Sequence, residues 1–468
     1  MRAHHGLWPR VAAAVALALL TGMSGHAADY AVVVSAATSH TPGWQQVVAA
    51  LVGKHSAATV VYPHAVTEAL PQLRRIAPLY ACFVARPEEL GCGFVVDVNR
   101  LTRALNGDPY GDVIWGIVTG YEASDALRLA RQSAPLTVRR AAAGTPIDLG
   151  AFNEGAWYSE GEKGVVCEKQ PGKEPQKRRC PDDSTQSLVN ELNANRPDYF
   201  QTSGHASQHD WQIGYSYHNG QFRCKAGQLF GLDTHGARFD VNSPNPKVYA
   251  PLGNCLIGLI DGRDTMALAW MRTGGVCQMA AYVVPTWYGT AWGIADYFVG
   301  EQGSYTYAQS FFLNNQFVVR ELRTRFPDAA RLNIADYDME RNPRVLDEFA
   351  AANHITDRDA LGLLWDRDTV AFYGDPAWEA RVAKVRPAPW NCALSVSNGR
   401  YTFRVTANTD GTWGRPPAAI FPKRLRDIRI VSGADLDPLI TERFILLPLK
   451  GRYTTGETFT VEFTARAH

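Results

Sequence analysis

The chain has 468 residues, and its 47 basic side chains nearly balance its 46 acidic ones. This length exceeds one ordinary domain, and a hydrophobic content of 46% is enough for more than one core. The balanced charge gives no net attraction to nucleic acid or to an anionic membrane surface. We therefore expect two or three domains and neither of those partners.

The first residues have the pattern of a secretory signal peptide. Arg2 and Arg10 precede an apolar stretch over 11–20, and the small residues Gly25 and Ala27 follow at the positions that a signal peptidase inspects. The apolar stretch is about half the roughly 20 residues that span a bilayer, and no later segment is long and apolar enough to do so. We predict cleavage after Ala27 and a secreted or periplasmic mature protein.

Eight cysteines in an exported chain indicate disulfide bonds, because that compartment is oxidising. Cys167 and Cys180 enclose a polar, proline-containing loop and are the best local pair. Cys82 and Cys92 are a second candidate pair, although Cys82 lies in an apolar run and fits a core position as well.

Apolar segments alternate with segments of helical spacing through much of the chain. Strands are predicted over 29–37, 57–62, 79–85, 113–118, 149–158, 198–202, 247–251 and 276–284. Helices are predicted over 44–52, 66–75, 98–105, 122–132, 184–195 and 264–271. This alternation is typical of a mostly parallel sheet covered by helices. The stretch 144–181 is otherwise loop-rich and marks a candidate boundary between subdomains.

The last part of the chain has a different pattern. After Pro387 and Pro389, short alternating segments are separated by turn residues such as Asn398-Gly399 and Asp410-Gly411. This pattern predicts an immunoglobulin-like β-sandwich. The expected organisation is a signal peptide over 1–27, an N-terminal α/β subdomain over 28–140, a catalytic α/β subdomain over 141–386 and the β-sandwich over 387–468.

A histidine and a cysteine follow two of the predicted strands. His205 comes after the strand over 198–202, and Cys255 comes after the strand over 247–251. The carboxyl ends of parallel strands collect catalytic groups, and an imidazole beside a thiol can take its proton and return it to a leaving amine. The backbone N–H groups of Cys255 and Ala206 are the candidate oxyanion hole. The alternative is a buried cysteine and a polar histidine without catalytic roles.

The order of these segments resembles that of the gingipain-like peptidases, a family of caspase-like fold. His205 lies near the end of the segment YFQTSGHA, and GNCLIG is followed by a helix and the strand VCQMAAYVV. The separation of 255 − 205 = 50 residues also resembles the histidine-before-cysteine order of caspases. GDPYGDVIWGIVTGY and the Gly374-Asp375-Pro376 turn extend the similarity over about 29–385. Ala206 stands where the family has glycine, and Ile117 where it has arginine.

The resemblance implies a caspase-like αβα sandwich and a cysteine endopeptidase with His205 as base and Cys255 as nucleophile. It implies that the aromatic loop after the next strand, with Trp287 and Trp292, walls the substrate pocket; core packing is the alternative. The substrate is a protein or peptide, and no cofactor, metal or obligate partner is predicted. A non-catalytic exported binding protein of the same fold remains the alternative function.

Three further questions stay open at this point. His235-Gly236 is a rival base, although the segment before it is a poor strand. The carboxylate that orients the histidine is Asp148, Glu154 or Glu160. Lastly, His205, His209, Asp210 and His218 lie close together in the sequence, as in a secreted zinc hydrolase, but they lack the His-Glu-x-x-His pattern.

Overall fold

The computed structural model describes residues 29–339 and 341–467, so the predicted signal peptide lies outside the described residues. The α-helices are α1 (Ala36–Ser39), α2 (Trp44–His55), α3 (Leu70–Ile76), α4 (Cys92–Thr102), α5 (Ala123–Arg131), α6 (Thr185–Asn190), α7 (Met266–Arg272), α8 (Gly293–Ala295), α9 (Tyr307–Arg325), α10 (Val345–Ala352) and α11 (Arg358–Thr369). Within these ranges no helix is long and apolar enough to cross a membrane.

In the described residues, eighteen strands precede the C-terminal part of the chain. They are β1 (Tyr30–Ser35), β2 (Ala58–Tyr62), β3 (Tyr80–Val84), β4 (Ile114–Val118), β5 (Leu136–Val138), β6 (Arg140–Ala143), β7 (Glu154–Tyr158), β8 (Val165–Lys169), β9 (Gln176–Arg179), β10 (Tyr199–Gly204), β11 (Asp210–Gln212), β12 (Gln221–Lys225), β13 (Gln228–Leu232), β14 (Arg238–Asp240), β15 (Lys247–Asn254), β16 (Val276–Tyr282), β17 (Val370–Tyr373) and β18 (Ala380–Val382).

One large sheet organises this part of the molecule. It has twelve strands in the order β2-β1-β3-β4-β17-β16-β15-β10-β6-β7-β8-β9. Neighbouring strands run parallel except at the β16–β17, β7–β8 and β8–β9 pairs. The predicted mixed α/β architecture with a mostly parallel sheet is therefore confirmed.

The inner strands of this sheet are covered on both faces. All six residues of β1 and all seven of β16 are buried, and both strands are rich in small and β-branched apolar side chains. Such uninterrupted apolar strands are expected where helices cover both faces of a parallel sheet. The strand ends are therefore held rigidly, which matters for the groups that follow them.

A small antiparallel sheet is inserted between two neighbouring strands of the large one. Strands β11, β12, β13 and β14 pair in sequence order and occupy the chain between β10 and β15. This insert was not predicted, because its strands are short and polar and carry no clear alternation. The polar β8–β9 hairpin was missed for the same reason, and α4 begins at Cys92 rather than near Val98.

The C-terminal part has its own core and only antiparallel pairs. Its strands are β19 (Trp390–Ser397), β20 (Arg400–Ala407), β21 (Gly411–Thr412), β22 (Ala418–Ile420), β23 (Leu425–Ser432), β24 (Leu439–Ile440), β25 (Phe444–Leu446), β26 (Arg452–Tyr453) and β27 (Thr458–Ala467). They form sheets of four, three and two strands. Aromatic residues such as Trp390, Phe403 and Phe463 fill a core separate from the main one. The immunoglobulin-like arrangement itself stays a prediction.

The predicted Cys167–Cys180 disulfide is not formed in this structure, in which all eight cysteines are free. In the β8–β9 hairpin Cys167 lies opposite Lys177, and the Cys180 N–H bonds to the Gly164 carbonyl. Three residues of extended strand span about 10 Å, which is more than the ~7 Å that a disulfide bridges between Cα atoms. The other pair is also separate: Cys82 is buried in β3, and Cys92 begins α4.

Candidate functional site

Two adjacent parallel strands bring the predicted histidine and cysteine to the same edge of the large sheet. β10 and β15 pair in parallel, with Gly204 in register with Asn254. His205 and Cys255 directly follow the last residues of these two strands. The sequence separation of 50 residues is therefore reduced to neighbouring strand ends, about 5 Å apart in the hydrogen-bonding direction of a sheet.

Asn254, directly before the cysteine, ties the two strand ends together. Its Nδ2 donates to the Gly204 carbonyl at 2.9 Å, and its Oδ1 accepts from the Thr202 hydroxyl at 2.5 Å. The side chain is fully buried. Sequence reasoning missed this residue, although an amide beside a candidate nucleophile in GNCLIG was a signal worth reading.

The backbone around Cys255 presents the thiol at a sharp turn. Leu256 adopts a left-handed conformation with φ of 60°, which is uncommon for a non-glycine residue and often marks a functional site. The Thr286 N–H lies 3.2 Å from Cys255 Sγ, and the Thr286 hydroxyl donates to the Asn254 carbonyl at 3.1 Å. A backbone donor at this distance stabilises negative charge on the sulfur.

His205 is exposed at the edge of the sheet and leaves the strand through Gly204, whose φ is +89°. Its ring stacks on Tyr215 with the centroids 5.0 Å apart. The backbone carbonyl of His205 accepts from the Gln212 N–H at 2.9 Å, which fixes the segment against β11. Among the described residues no hydrogen bond joins His205 to Cys255; such bonds are often long in structures without substrate.

One of the three candidate acidic residues lies beside Gly204, the residue that precedes the histidine. A methyl group added at Gly204 would lie 3.5 Å from Glu160 Oε2 and 3.8 Å from Tyr215 Cβ, the residue on which His205 stacks. Glu160 Oε1 accepts from the Thr145 hydroxyl at 2.7 Å, whereas Oε2 is buried with no partner in the described part of the chain. A buried carboxylate oxygen without a donor is rare in proteins.

The other two acidic candidates are engaged elsewhere. Asp148 pairs with Arg386, and Glu154 pairs with Arg140 at 2.6 Å. Glu160 is therefore the one of the three that lies beside Gly204, the residue before His205, with hydrogen-bonding capacity left.

The two predicted pocket tryptophans have different surroundings. A methyl group at Gly253 would lie 2.8 Å from Trp292 Cζ2, so this indole covers the chain two residues before Cys255 and is 37% exposed. Trp287 is half-buried, and the Arg358 guanidinium lies 5.0 Å from its ring centroid. Trp292 borders the candidate site, whereas Trp287 packs against the start of α11.

Helix α11 holds the loop that carries Trp292. Asp366 Oδ2 accepts from the Thr290 N–H at 2.7 Å, the Thr290 hydroxyl at 2.9 Å and the Tyr282 hydroxyl at 2.8 Å. Trp365 Nε1 donates to the Pro285 carbonyl at 3.0 Å. Burial raises the pKa of Asp366 to about 6. These contacts, which join residues about 80 apart in sequence, could not be predicted from the sequence pattern.

A polar groove of about 520 Å³ lies beside His205. Ala206 borders it together with Asp210, His218 and Asp233, which come from the inserted sheet and its loops. No lysine or arginine lines the groove among the described residues.

Of the remaining histidines of the sequence analysis, His218 borders the same groove as His205, whereas His209 and His235 do not. His209 Nδ1 lies 2.8 Å from the Asp264 carbonyl, and His235 is in the turn between β13 and β14. The rival base is thus on the inserted sheet, whereas His205 is at a strand end of the large one. No group of three histidine, cysteine or acidic side chains in the described ranges is arranged to hold a metal ion.

Comparison with known proteins gives distant structural neighbours only. No protein-family model matches the sequence, and no curated protein matches it. The arginine-specific cysteine proteinase gingipain R aligns with 11% identity and a TM-score of 0.39 over 92% of this chain and 94% of its own. A complex of the pro- and mature domains of RgpB from Porphyromonas gingivalis aligns with 10% identity and a TM-score of 0.38 over 92% and 99%. A structure titled as a protease aligns with 9% identity, a TM-score of 0.36 and coverage of 95% and 96%. TM-scores this low do not establish a shared fold.

Proposed function

We propose that this chain is an exported cysteine endopeptidase that hydrolyses peptide bonds through Cys255 and His205. The observation that carries the proposal is the register of β10 and β15, which puts the two residues next to each other at one edge of a rigid sheet. The sequence motifs that resemble the gingipain-like peptidases point to the same pair. We further propose a caspase-like topology for the α/β part and an immunoglobulin-like one for the C-terminal part.

The reaction has two stages. His205 takes the thiol proton, and the Cys255 thiolate attacks the carbonyl carbon of the peptide bond. The C–N bond breaks as the imidazolium gives its proton to the leaving amine, which leaves an acyl-enzyme. Water, deprotonated by His205, then attacks the thioester and releases the acid product and the thiol.

Three neighbours support these steps. The Thr286 N–H stabilises negative charge on the sulfur. Glu160 orients the imidazole and stabilises its protonated form through the oxygen that has no partner in this structure. The backbone N–H groups of Cys255 and Ala206 form the oxyanion hole that holds the charge of the tetrahedral intermediate.

The substrate lies across the edge of the sheet in this proposal. Trp292 covers one side of the nucleophile and walls the pocket for the residue before the scissile bond. The polar groove beside His205 binds the part of the substrate on the amine side of the scissile bond, because His205 must reach the leaving amine.

Thiol labelling tests the proposal directly. A peptidyl acyloxymethyl ketone should label Cys255 much faster than Cys224, a half-buried free thiol on the inserted sheet. Cys224→Ala is the matched control and should keep both labelling and cleavage of a peptide library. Equal labelling of the two thiols together with no cleavage would instead support the non-catalytic binding protein.

Export is a separate part of the proposal and rests on the leader sequence. We expect the mature chain to start near Ala28 and to be recovered outside the cytoplasm. N-terminal sequencing of the exported fraction checks this, and an intact Met1 there would contradict it.

A further inference from the structure

A second cavity lies between the end of α3 and the C-terminal sheets, away from the sheet edge that carries His205 and Cys255. Its volume is about 1030 Å³, which is the size of a site for a small organic ligand. Its basic lining residues are Arg74, Arg75, Lys423, Arg424, Arg426 and Arg443. Asp29 is the one acidic residue that lines it within the described part of the chain.

Most of this positive charge has no acidic partner. Arg424 pairs with Glu442, but Arg75, Lys423 and Arg426 have no carboxylate within salt-bridge distance among the residues described here. Arg443 is buried and donates its guanidinium protons to backbone carbonyls, at 3.0 Å for Asp112 and 2.9 Å for Pro78. Carbonyl oxygens satisfy these donors without neutralising their charge.

The basic groups are also close enough to act on one another. Burial and the charge of Arg424 lower the pKa of Arg443 to about 10, although the carboxylates of Glu442, Asp112 and Asp29 act in the opposite direction. Arg424 Nε is buried and donates to no acceptor in the described ranges. A cavity that collects cations and leaves a buried guanidinium N–H unpaired favours an anion, since Arg matches the geometry of phosphate and carboxylate groups.

One wall of the cavity is apolar. It is formed by Leu394, Val396, Tyr401, Phe421 and Leu425. Val396 is 55% exposed although it follows Trp390, Cys392 and Leu394 on the inward face of β19. The inner face of this sheet therefore opens into the cavity. Apolar side chains are exposed there next to the basic residues.

We propose that this cavity binds a single-chain anionic amphiphile, with a phosphate or carboxylate head on the basic groups and an alkyl chain along the apolar wall. Inorganic phosphate would satisfy only the basic half of the lining, and an uncharged detergent only the apolar half. A nucleic acid would leave the apolar wall unused. The two features border one cavity, which fits one molecule carrying both.

Calorimetric titration of the full chain tests this with monomeric ligands. Dodecyl phosphate should bind at least about tenfold more tightly than inorganic phosphate or dodecyl maltoside, and salt should weaken it. Dodecanoate distinguishes a carboxylate head from a phosphate one. Equal affinity for dodecyl phosphate and either half-ligand would overturn the proposal, as would binding of dodecyltrimethylammonium with the same affinity.

Paired variants place the ligand in this cavity. The double variant Lys423→Glu/Arg426→Glu should weaken dodecyl phosphate at least about tenfold, whereas Arg404→Glu, an exposed arginine on β20 outside the cavity, should not. Val396→Asp should weaken binding, whereas Val431→Asp, 50% exposed on β23, should not. These side chains are exposed, so the fold should survive. Equal losses in the paired variants would show non-specific binding and refute the site.

Discussion

The sheet edge with His205 and Cys255 and the buried ion pairs of the same molecule differ in the number of hydrogen-bond and ion-pair partners of their polar groups. Asp368, at the end of α11, is completely buried and receives Arg100 at 3.1 Å, Arg367 at 3.1 Å and Arg103. Burial by itself would raise its pKa, but the three arginines outweigh it and hold the pKa well below the usual range.

Asp375, which follows β17, has a similar arrangement. Its Oδ2 lies 2.7 Å from both Lys54 Nζ and His55 Nε2, and its Oδ1 accepts from the Tyr30 hydroxyl at 2.8 Å. These groups lie 320 or more residues from Asp375 in sequence. The hydrogen bonds of Asp375 and Asp368 thus join segments that are distant in sequence.

At the sheet edge, polar and charged side chains still have atoms without a hydrogen-bond partner. Glu160 has a free carboxylate oxygen, and His205 is exposed with no bond from its ring to Cys255 in the described structure. Leu256 keeps a left-handed backbone. Buried charges with all their partners stabilise the fold, whereas groups without partners are available for a substrate. Variants at the buried ion pairs should therefore change mainly stability, and variants at the sheet edge mainly activity.

The largest effect should come from the dyad. Cys255→Ala and His205→Ala should each lower kcat/KM for peptide cleavage by at least about 10³-fold, and the double variant should be little worse, because the two groups act as one unit. Thermal unfolding should stay nearly unchanged since neither side chain is in the core. Peptide hydrolysis assays and calorimetry measure both.

His235 is the control for the choice of base. His235→Ala should keep most of the activity because this residue lies in a turn of the inserted sheet. An inactive His235→Ala with an active His205→Ala would move the base to His235. Cleavage by Cys255→Ala would refute the cysteine mechanism.

Asp368→Asn should lower the free energy of unfolding by about 3–5 kcal/mol, because it leaves three arginines around a buried site without their counter-charge. Urea denaturation measures this. Asp359→Asn on the same helix removes an exposed carboxylate that pairs with Arg325 and should have a much smaller effect. A loss as small at Asp368 as at Asp359 would show that the buried network does not stabilise the fold.

Glu160→Gln should lower kcat by about 10²-fold with little change in KM, because it weakens the orientation of the imidazole without removing the base. Asp148→Asn is the matched control. A falling melting temperature with an unchanged kcat would mean that Glu160 is only structural.

The smallest effect should be the acid sensitivity of Asp375. Burial alone would raise the pKa of this carboxyl, but the hydrogen bond from His55 and the charge of Lys54 lower it from 3.8 to about 2. A depressed folded-state pKa gives stability that is present above pH 4 and is lost as the pH falls through about 2; the amount is about 2 kcal/mol. The difference in unfolding free energy between wild type and Asp375→Asn should therefore shrink between pH 5 and pH 2. An unchanged difference would contradict this.

The strands that carry the site could be predicted because each has a short group of apolar residues followed by a glycine. The run before His205 and the run before Cys255 correspond to β10 and β15 with small shifts of their ends. The inserted sheet could not be predicted, since Arg223 and Cys224 of β12 read like loop residues and its strands gain their order only from pairing with one another.

The supporting residues of the site were harder to predict than the dyad. Glu160 was one of three equal candidates in the sequence, and only the position of its side chain beside Gly204 separates it from Asp148 and Glu154. The roles of Asn254 and Thr286 depend on side-chain and backbone contacts across strands. Sequence spacing carries no information about such contacts.

The pairing of β10 with β15 has a consequence for recognising relatives of this protein. The positions of His205 and Cys255 are fixed by backbone hydrogen bonds between their strands, and the 40-odd residues of the inserted sheet and its loops lie outside that pairing. A homologue can therefore lengthen, shorten or replace the insert while keeping its histidine and cysteine at the same distance. Any search that fixes the number of residues between the two would miss it, whereas a search for two apolar strands ending in Ser-Gly-His and Gly-Asn-Cys would not.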